Sequence, residues 1–495
     1  MIDSNTALLA AMILPLVGAF LVLLTGKWPN VREAVSLVIG VLTFFCVASV
    51  AQGVLSSEVV AAEIAEPVKG LRLAFNVEPL GLLFALVASL LWPITTLYAI
   101  GYMREHHEVN QTRFYCFFAI SIAAVLALAF SANLATLFVC YEAITLATFP
   151  LVTHGNDRAA WRAGRIYLGI LMGTSIGLLL FGCVAVYGVA GTTEFTQGGV
   201  LSGPLAEGKV SKAVLGVILG LFVFGAGKAA VMPVHRWLPN AMVAPTPVSA
   251  LLHAVAVVKA GVFTILKVVI YIFGIDLVRD LDAHTVLAYV AGFTVVAASV
   301  IALGKDNLKE RLAYSTIGQL SYIVLGALVA TETSTQGAAM HIATHAAGKI
   351  TLFFGAGVIL ISAHIKNVSE LDGIGKRMPI TMACFFVGAL SIIGLPPAGG
   401  MWSKLLLVQG TAEAGEWVLV GAFLVSSLLN IVYLLSIPMR AFLRPLSEKA
   451  LAHPHGEAPM TSRIAMVATA SLTVLLFVQP AFVYDLIQRI SEVAP

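Results

Sequence analysis

Charge is what this sequence has least of. Of its 495 residues only 11% are Asp, Glu, Lys or Arg, less than half the roughly 25% of an ordinary soluble domain. Twenty-nine basic and 26 acidic side chains cannot clothe a chain of this length in a water-facing skin, which excludes a soluble enzyme. The net charge of +3, with no cluster of Lys and Arg, excludes a nucleic-acid partner. Cysteine is sparse too. Cys46, Cys116, Cys140, Cys183 and Cys384 stand singly in apolar stretches, without the C-x-x-C spacing that holds zinc or an iron–sulfur cluster. Gly225-Ala226-Gly227-Lys228-Ala229 lacks the first glycine and the following Ser/Thr of a phosphate loop. Haem, flavin and Ser-His-Asp patterns are missing as well, so no cofactor and no redox or hydrolytic chemistry is expected in this chain. Met1 to Thr6 carries an acid and no base, unlike the start of a cleaved signal.

What remains is apolar: 59% of residues are hydrophobic and the mean hydropathy is +0.94. A bilayer core of about 30 Å takes roughly 20 apolar residues as a helix. Fourteen such runs begin near residues 7, 34, 79, 112, 131, 162, 211, 248, 283, 310, 336, 379, 416 and 461. Helices are the default, because open strands leave backbone groups unpaired in lipid. The predicted fold class is an all-α polytopic membrane bundle without a separate soluble domain. Connections are short except at 56–78, 191–212 and 444–460. Loops of one side, from Lys27 and Arg32 through Arg104 and Lys305 to Arg444 and Lys449, hold most of the basic residues, the other side roughly a third as many; the basic side is therefore expected in the cytoplasm. An even span count then puts both termini outside it.

The seventh and twelfth runs are interrupted, the seventh by Pro233 and by Pro245 and Pro247, the twelfth by Pro396 and Pro397. They lie five spans apart. Because five is odd, a second copy of a five-span unit must run the opposite way through the membrane. The expected organisation is three N-terminal spans over 1–111, a first five-helix repeat over 112–274, its inverted copy over 275–443, and a cytoplasmic loop with the last span over 444–495.

A charge at bilayer depth costs about 2.5–3.5 kcal/mol on insertion scales, so ionisable residues there usually face a polar interior. This chain has a row of them. Glu142 lies in mid-span and needs a cation from another helix, and Lys228, just before the break in the seventh run, is its predicted partner. The eighth run carries His253 and Lys259, six residues and about 240° apart on a regular helix, which points them to different neighbours. His341, His345 and Lys349 recur at i, i+4 and i+8, on one stripe of the eleventh run. Histidine titrates near neutrality and burial brings lysine toward it, so the stripe suits proton transfer. Lys404 follows the second break as Lys228 accompanies the first, at a different offset. Each has a plainer reading: an ion pair that fixes packing, a core histidine, or a metal pair at His341 and His345. The last lacks an acidic third ligand on its stripe, so no metal is expected. Lys267, His364 and Lys366 sit near span ends, where snorkelling to the interface is expected.

Several segments carry a resemblance: Tyr141-Glu142, Gly227-Lys228, the block from Pro233 through Trp237-Leu238-Pro239 to Ser249-Ala250-Leu251-Leu252-His253, His341 to Lys349, and Gly394-Leu395-Pro396-Pro397 before Lys404. Over roughly 80–440 the chain resembles the antiporter-like subunits shared by respiratory complex I, membrane-bound hydrogenases and Mrp-type cation/proton antiporters. The resemblance implies fourteen helices, two inverted repeats and a polar axis. Glu142 and Lys228 would be its charge switch, Lys259 its central relay, and His341, His345 and Lys349 the link between half-channels. Lys404 would be its exit lysine, with Arg162 and Arg165 as basic residues near the glutamate. The chain has no lateral amphipathic helix after its last span, so the resemblance is strongest to the shorter, Mrp-type members of the family. It implies partner membrane subunits and a Na+/H+ antiporter, with a complex I-like or hydrogenase-type pump as the alternative.

Overall fold

The computed structural model describes residues 3–68, 71–447 and 456–490. Lys449 and its surrounding loop fall outside them. Among the described residues twelve helices are long and apolar enough to cross a membrane: α1 Ser4–Leu24, α2 Pro29–Leu55, α3 Pro79–Glu105, α4 Gln111–Ala129, α5 Leu134–Val152, α6 Arg158–Ala190, α8 Thr246–Phe273, α9 Asp282–Gly304, α10 Leu308–Val329, α11 Glu332–Ala363, α14 Trp417–Leu443 and α15 Met460–Val478. Two shorter apolar helices, α7 Lys212–Gly225 and α12 Pro379–Ile393, stop where the seventh and twelfth runs are broken. Beyond the first break the chain continues as short turns over 227–243, and beyond the second as α13 Gly400–Glu413. The fold is the all-α polytopic bundle the sequence predicts, and every one of the fourteen runs begins within five residues of its helix.

Two features differ from expectation. The 56–78 connection folds into an antiparallel hairpin, β1 Ala61–Val68 with β2 Leu71–Asn76, pairing Ala61 with Asn76 and Ala62 with Phe75. Alternation in Leu71-Arg72-Leu73-Ala74-Phe75-Asn76 is its signal, short enough to be hidden among helical runs. Pro245 and Pro247 do not break the seventh run; they open α8, Pro245 as its N-cap and Pro247 in its first turn. That is where the missing N–H costs nothing.

Loops alternate between two faces. On one lie the hairpin, the loop over 191–201 and both ends of the described chain, joined by Asn133 Nδ2 donating to the Arg72 carbonyl at 3.0 Å and Gln197 Nε2 to the Ile490 carbonyl at 2.7 Å. The basic face carries the loops over 25–28, 106–110, 153–157, 305–307 and 364–378. Arg104 pairs there with the buried Glu33, Asp306 accepts from Ser369, and Arg440 holds Asp372 at 2.7 Å. His364 and Lys366 are exposed on this face.

At the bundle's centre α8 is buried along its whole length, and α10 and α11 nearly so, whereas α1, α14 and α15 leave more than half of their apolar windows short of full burial. A helix wrapped in protein on all sides has no lipid face to keep apolar, so ionisable residues can sit on it. Two π-helical turns, Leu251–Val255 and Val269–Phe273, bracket the regular middle of α8. Close packing of α13 on α11 depends on small residues. A Cβ on Gly410 of α13 would lie 2.7 Å from Ser334 Cα in the first turn of α11, where Thr331 and Ser334 form a capping box. We expect Gly410→Ala to destabilise the detergent-solubilised protein by about 1–3 kcal/mol, the cost of overpacking, read as a lower midpoint of thermal unfolding.

Candidate functional site: a buried row of lysines and histidines

Lys228 lies inside the first break, in the single turn Gly227–Ala229, completely buried. Its Nζ donates to the Tyr141 carbonyl at 2.8 Å and to Thr145 Oγ1 at 2.7 Å, and sits 3.2 Å above the centre of the Tyr141 ring. Tyr141 Oη in turn accepts from the Lys228 backbone N–H at 3.1 Å. The expected Glu142–Lys228 pair is therefore not a direct contact. Tyr141 and Thr145 are four residues apart on the inward stripe of α5, while Glu142 is turned about 100° away, toward the exposed strip of Val139, Ala143 and Leu146. Its two carboxylate oxygens are covered and have no hydrogen-bond partner among the described residues. Arg162 and Arg165 are exposed on α6 and make no ion pair with it.

The centre of the row is on α8 and α11. Lys259 Nζ lies 2.8 Å from His345 Nδ1, both fully covered. His253 packs its ring against Phe353 at 4.5 Å between centroids, and neither ring nitrogen has a partner among the described residues. Against the expectation that His253 and Lys259 face different ways, both reach α11, eight residues apart on it. The π-helical turn over Leu251–Val255 supplies the extra residue that changes their relative angle.

Along α11 all three residues of the predicted stripe are buried. His341 has Ser403 Oγ 2.8 Å from Nδ1 and Gln319 Oε1 3.1 Å from Nε2; its ring lies 5.7 Å from that of His345. Lys349 donates to Ser315 Oγ at 2.8 Å, which also accepts from Tyr433 Oη at 3.0 Å. Lys404, one turn into α13, donates to the Ile393 carbonyl at the end of α12 and to Ser427 Oγ at 3.3 Å. Tyr322 closes the gap: its hydroxyl is 3.2 Å from Ser427 Oγ, its ring stacks on His341 at 5.8 Å, and the Lys404 ammonium lies 4.5 Å above it.

Sequence reasoning names the ionisable members and passes over those that hold them: Tyr141, Thr145, Ser315, Gln319, Tyr322, Ser403 and Ser427. The signal is polar residues in spans with no lipid face, such as Ser315-Thr316 and Gln319 in α10. Lys267 is the reverse case. It does not snorkel; it is buried and pairs with Glu78 at 3.0 Å. Among the described residues no group of three His, Cys, Asp or Glu has the arrangement of a metal site.

The family described as NADH:quinone oxidoreductase/Mrp antiporter, TM, matches residues 131–430, which include every ionisable group of this row. Among curated relatives, NADH-quinone oxidoreductase subunit N of Desulforudis audaxviator is 32% identical over 388 residues, covering 77% of this chain and 75% of its own. NAD(P)H-quinone oxidoreductase chain 5 of Picosynechococcus sp. is 32% identical over 348 residues, 68% of this chain; the present chain spans only half of that relative's length. Among solved structures, a chain of the Mrp complex from Dietzia sp. superposes with a TM-score of 0.85 at 20% identity, covering 99% of this chain and 97% of that one, a likeness of fold. With the family matched over more than half of its length, the chain belongs to the antiporter-like transmembrane subunits of the NADH:quinone oxidoreductase/Mrp antiporter family.

Proposed function

We propose that this chain is a proton-translocating subunit of a multi-subunit membrane complex, with Glu142, Lys228, His253, Lys259, His341, His345, Lys349 and Lys404 as its pathway. The observation that carries the reading is that the buried ammoniums of Lys228, Lys349 and Lys404 are met by hydroxyls and carbonyls, and that of Lys259 by an imidazole, rather than by carboxylates. An ionised carboxylate in contact holds the lysine charged, unless the carboxyl itself takes up the proton. Dipolar partners leave each group free to be either charged or neutral, which a carrier of protons requires.

In this mechanism Glu142, at the outer edge of α5, senses charge on a neighbouring subunit. When its field on Lys228 weakens, the ammonium is less stabilised and releases a proton through water to Lys259. Lys259 donates to His345 Nδ1 across 2.8 Å. The proton continues through water to His341, and by Ser403, Tyr322 and Ser427 to Lys404. Unpaired backbone groups at the two breaks order the water needed between side chains that do not touch. The broken helices α7 and α12, each accompanied by a lysine, support the reading of 112–274 and 275–443 as inverted copies.

The driving force comes from partners. The high structural similarity to a chain of the Mrp complex supports an Mrp-type Na+/H+ antiporter, whereas the curated relatives are named as quinone oxidoreductase subunits. The basic face is taken as cytoplasmic, with both termini opposite it. Copurification separates the two assemblies: electron-transfer subunits with this chain establish the redox type, their absence from an intact transporting complex the antiporter type.

In proteoliposomes of the purified complex, Lys228→Ala and Glu142→Ala are each expected to abolish coupled proton transport while leaving assembly intact; undiminished transport in either defeats the switch. A Cβ on Gly261 of α8 would lie 2.8 Å from Ala229 Cα and so displace the turn that carries Lys228. Gly261→Ala should lower transport without removing any titratable group, and wild-type flux would show that this turn need not be held in place.

A further inference from the structure

One buried ion pair lies outside this pathway. Glu78 caps the start of α3 beneath the hairpin, its side chain 10% exposed, and Lys267 sits near the hairpin-face end of α8, wholly covered; Nζ and Oε2 are 3.0 Å apart. Lys267 Nζ also donates to the Ser131 carbonyl at 2.5 Å and lies 4.4 Å from the centre of the Phe195 ring. Glu78 Oε1 has no hydrogen-bond partner among the described residues. The hairpin and the 191–201 loop close over the pair, the loop through Phe195 N–H to the Ala132 carbonyl and Thr196 N–H to the Tyr271 carbonyl.

The position of Lys267 on α8 gives the pair its meaning. Lys259, Phe263 and Lys267 are spaced at i, i+4 and i+8, on one stripe, so the two ammonium-bearing residues are about 12 Å apart along the helix. Phe263 stands between them, fully buried, 5.0 Å from the ring of Phe84 and 5.5 Å from Lys267 Nζ. A central relay lysine, an aromatic plug and a second lysine paired with an edge carboxylate form a line from mid-membrane to the hairpin face. Facing the pair from the packed elements are the Tyr271 hydroxyl of α8, buried without a hydrogen-bond partner among the described residues, and the Cys140 thiol of α5. The charges of the cover, Arg72 with Glu194 and Glu63, pair with one another.

We propose that Glu78 and Lys267 form a proton-exchange site that connects Lys259 to the hairpin face, gated by Phe263 against Phe84. This rests on the proton-translocating reading above. In the resting pair Lys267 is an ammonium and Glu78 a carboxylate. Lys267 passes a proton to Glu78, leaving an amine and a carboxylic acid; Glu78 releases it to water beneath the hairpin. When Phe263 turns aside, water joins Lys259 to Lys267 and the Lys259 ammonium restores the Lys267 charge. The same steps reversed take up a proton. Burial pushes the Glu78 carboxyl up from its ordinary range against the opposing pull of Lys267, which suits a group that must accept and release.

The deciding variant is Lys267→Arg, which keeps a cation beside Glu78 but does not give up its proton at physiological pH. In proteoliposomes of the whole complex, Lys267→Arg is expected to assemble and melt as the wild type, yet to lose transport and its dependence on pH at the hairpin face. Wild-type transport and pH profile in Lys267→Arg overturn the proposal and make the pair a structural pin. Should Lys267→Arg not assemble, infrared titration of the full-length wild-type chain decides. A protonated-carboxyl band that appears with falling pH and is lost in Glu78→Gln supports exchange; a Glu78 that never protonates above the range of an exposed carboxylate overturns it. Phe263→Ala should raise passive proton leak, and an unchanged leak removes the gate. Lys228→Ala in the same preparation separates the two failures: if it is inactive while Lys267→Arg is normal, only this site is lost, and if Lys228→Ala transports normally the underlying reading falls.

Discussion

The arrangement depends on keeping ammonium groups in the middle of a membrane without giving them permanent counter-ions. Lipid cannot solvate a lysine, and an ionised carboxylate in contact holds it charged until the carboxyl is itself protonated. Here backbone carbonyls, one of them freed at a helix end, hydroxyls, aromatic faces and one imidazole do the solvating. Lys404 takes the last carbonyl of α12, and Lys228 the Tyr141 carbonyl and a π-face. The helix breaks, the wholly buried α8 and the small residues at its contacts all follow from that requirement. A helix interrupted in mid-membrane offers polar groups where an unbroken one has none to spare.

The contrast between Glu142 and Glu78 is instructive. Both are acidic residues of spans or span ends, and each has an opposing lysine on another element. Glu78 touches its lysine, with the pair under a lid of hairpin and loop. Glu142 is held off from Lys228 by one position on α5, its covered carboxylate turned toward the side of the helix that carries the exposed Val139, Ala143 and Leu146. A contact pair responds to events at its own face of the membrane, and a separated one responds to charges brought alongside it. On the proposed reading the same two residue types serve local exchange in one place and sensing over a distance in the other.

Much of this was legible in the sequence. Fourteen apolar runs, the two breaks and the ionisable residues of α8 and α11 follow from hydropathy and spacing, because lipid enforces both rules strictly. What was hidden lay in relations between helices. That Lys228 meets Tyr141 and Thr145 depends on which face of α5 turns inward, and alternating polarity is weak on a helix with apolar residues all round. Lys267 has the sequence position of an interfacial lysine, at a distance from the span end that fits one; only the fold of 61–76 and 191–201 over that end makes it interior. The angle between His253 and Lys259 departs from expectation for a third reason, a wide turn that helical periodicity does not contain.

Those wide turns carry a geometric consequence of their own. Each is in effect a one-residue insertion in a regular helix, so the stretch Val257–Val268 is set in azimuth by a single extra peptide at either end. Excising one residue from the first of them would restore ordinary winding and swing everything after it by about 100°, sending the Lys259 stripe past His345. Which neighbour a lysine addresses is therefore written in the count of residues between prolines and glycines, as much as in the identity of the lysine itself.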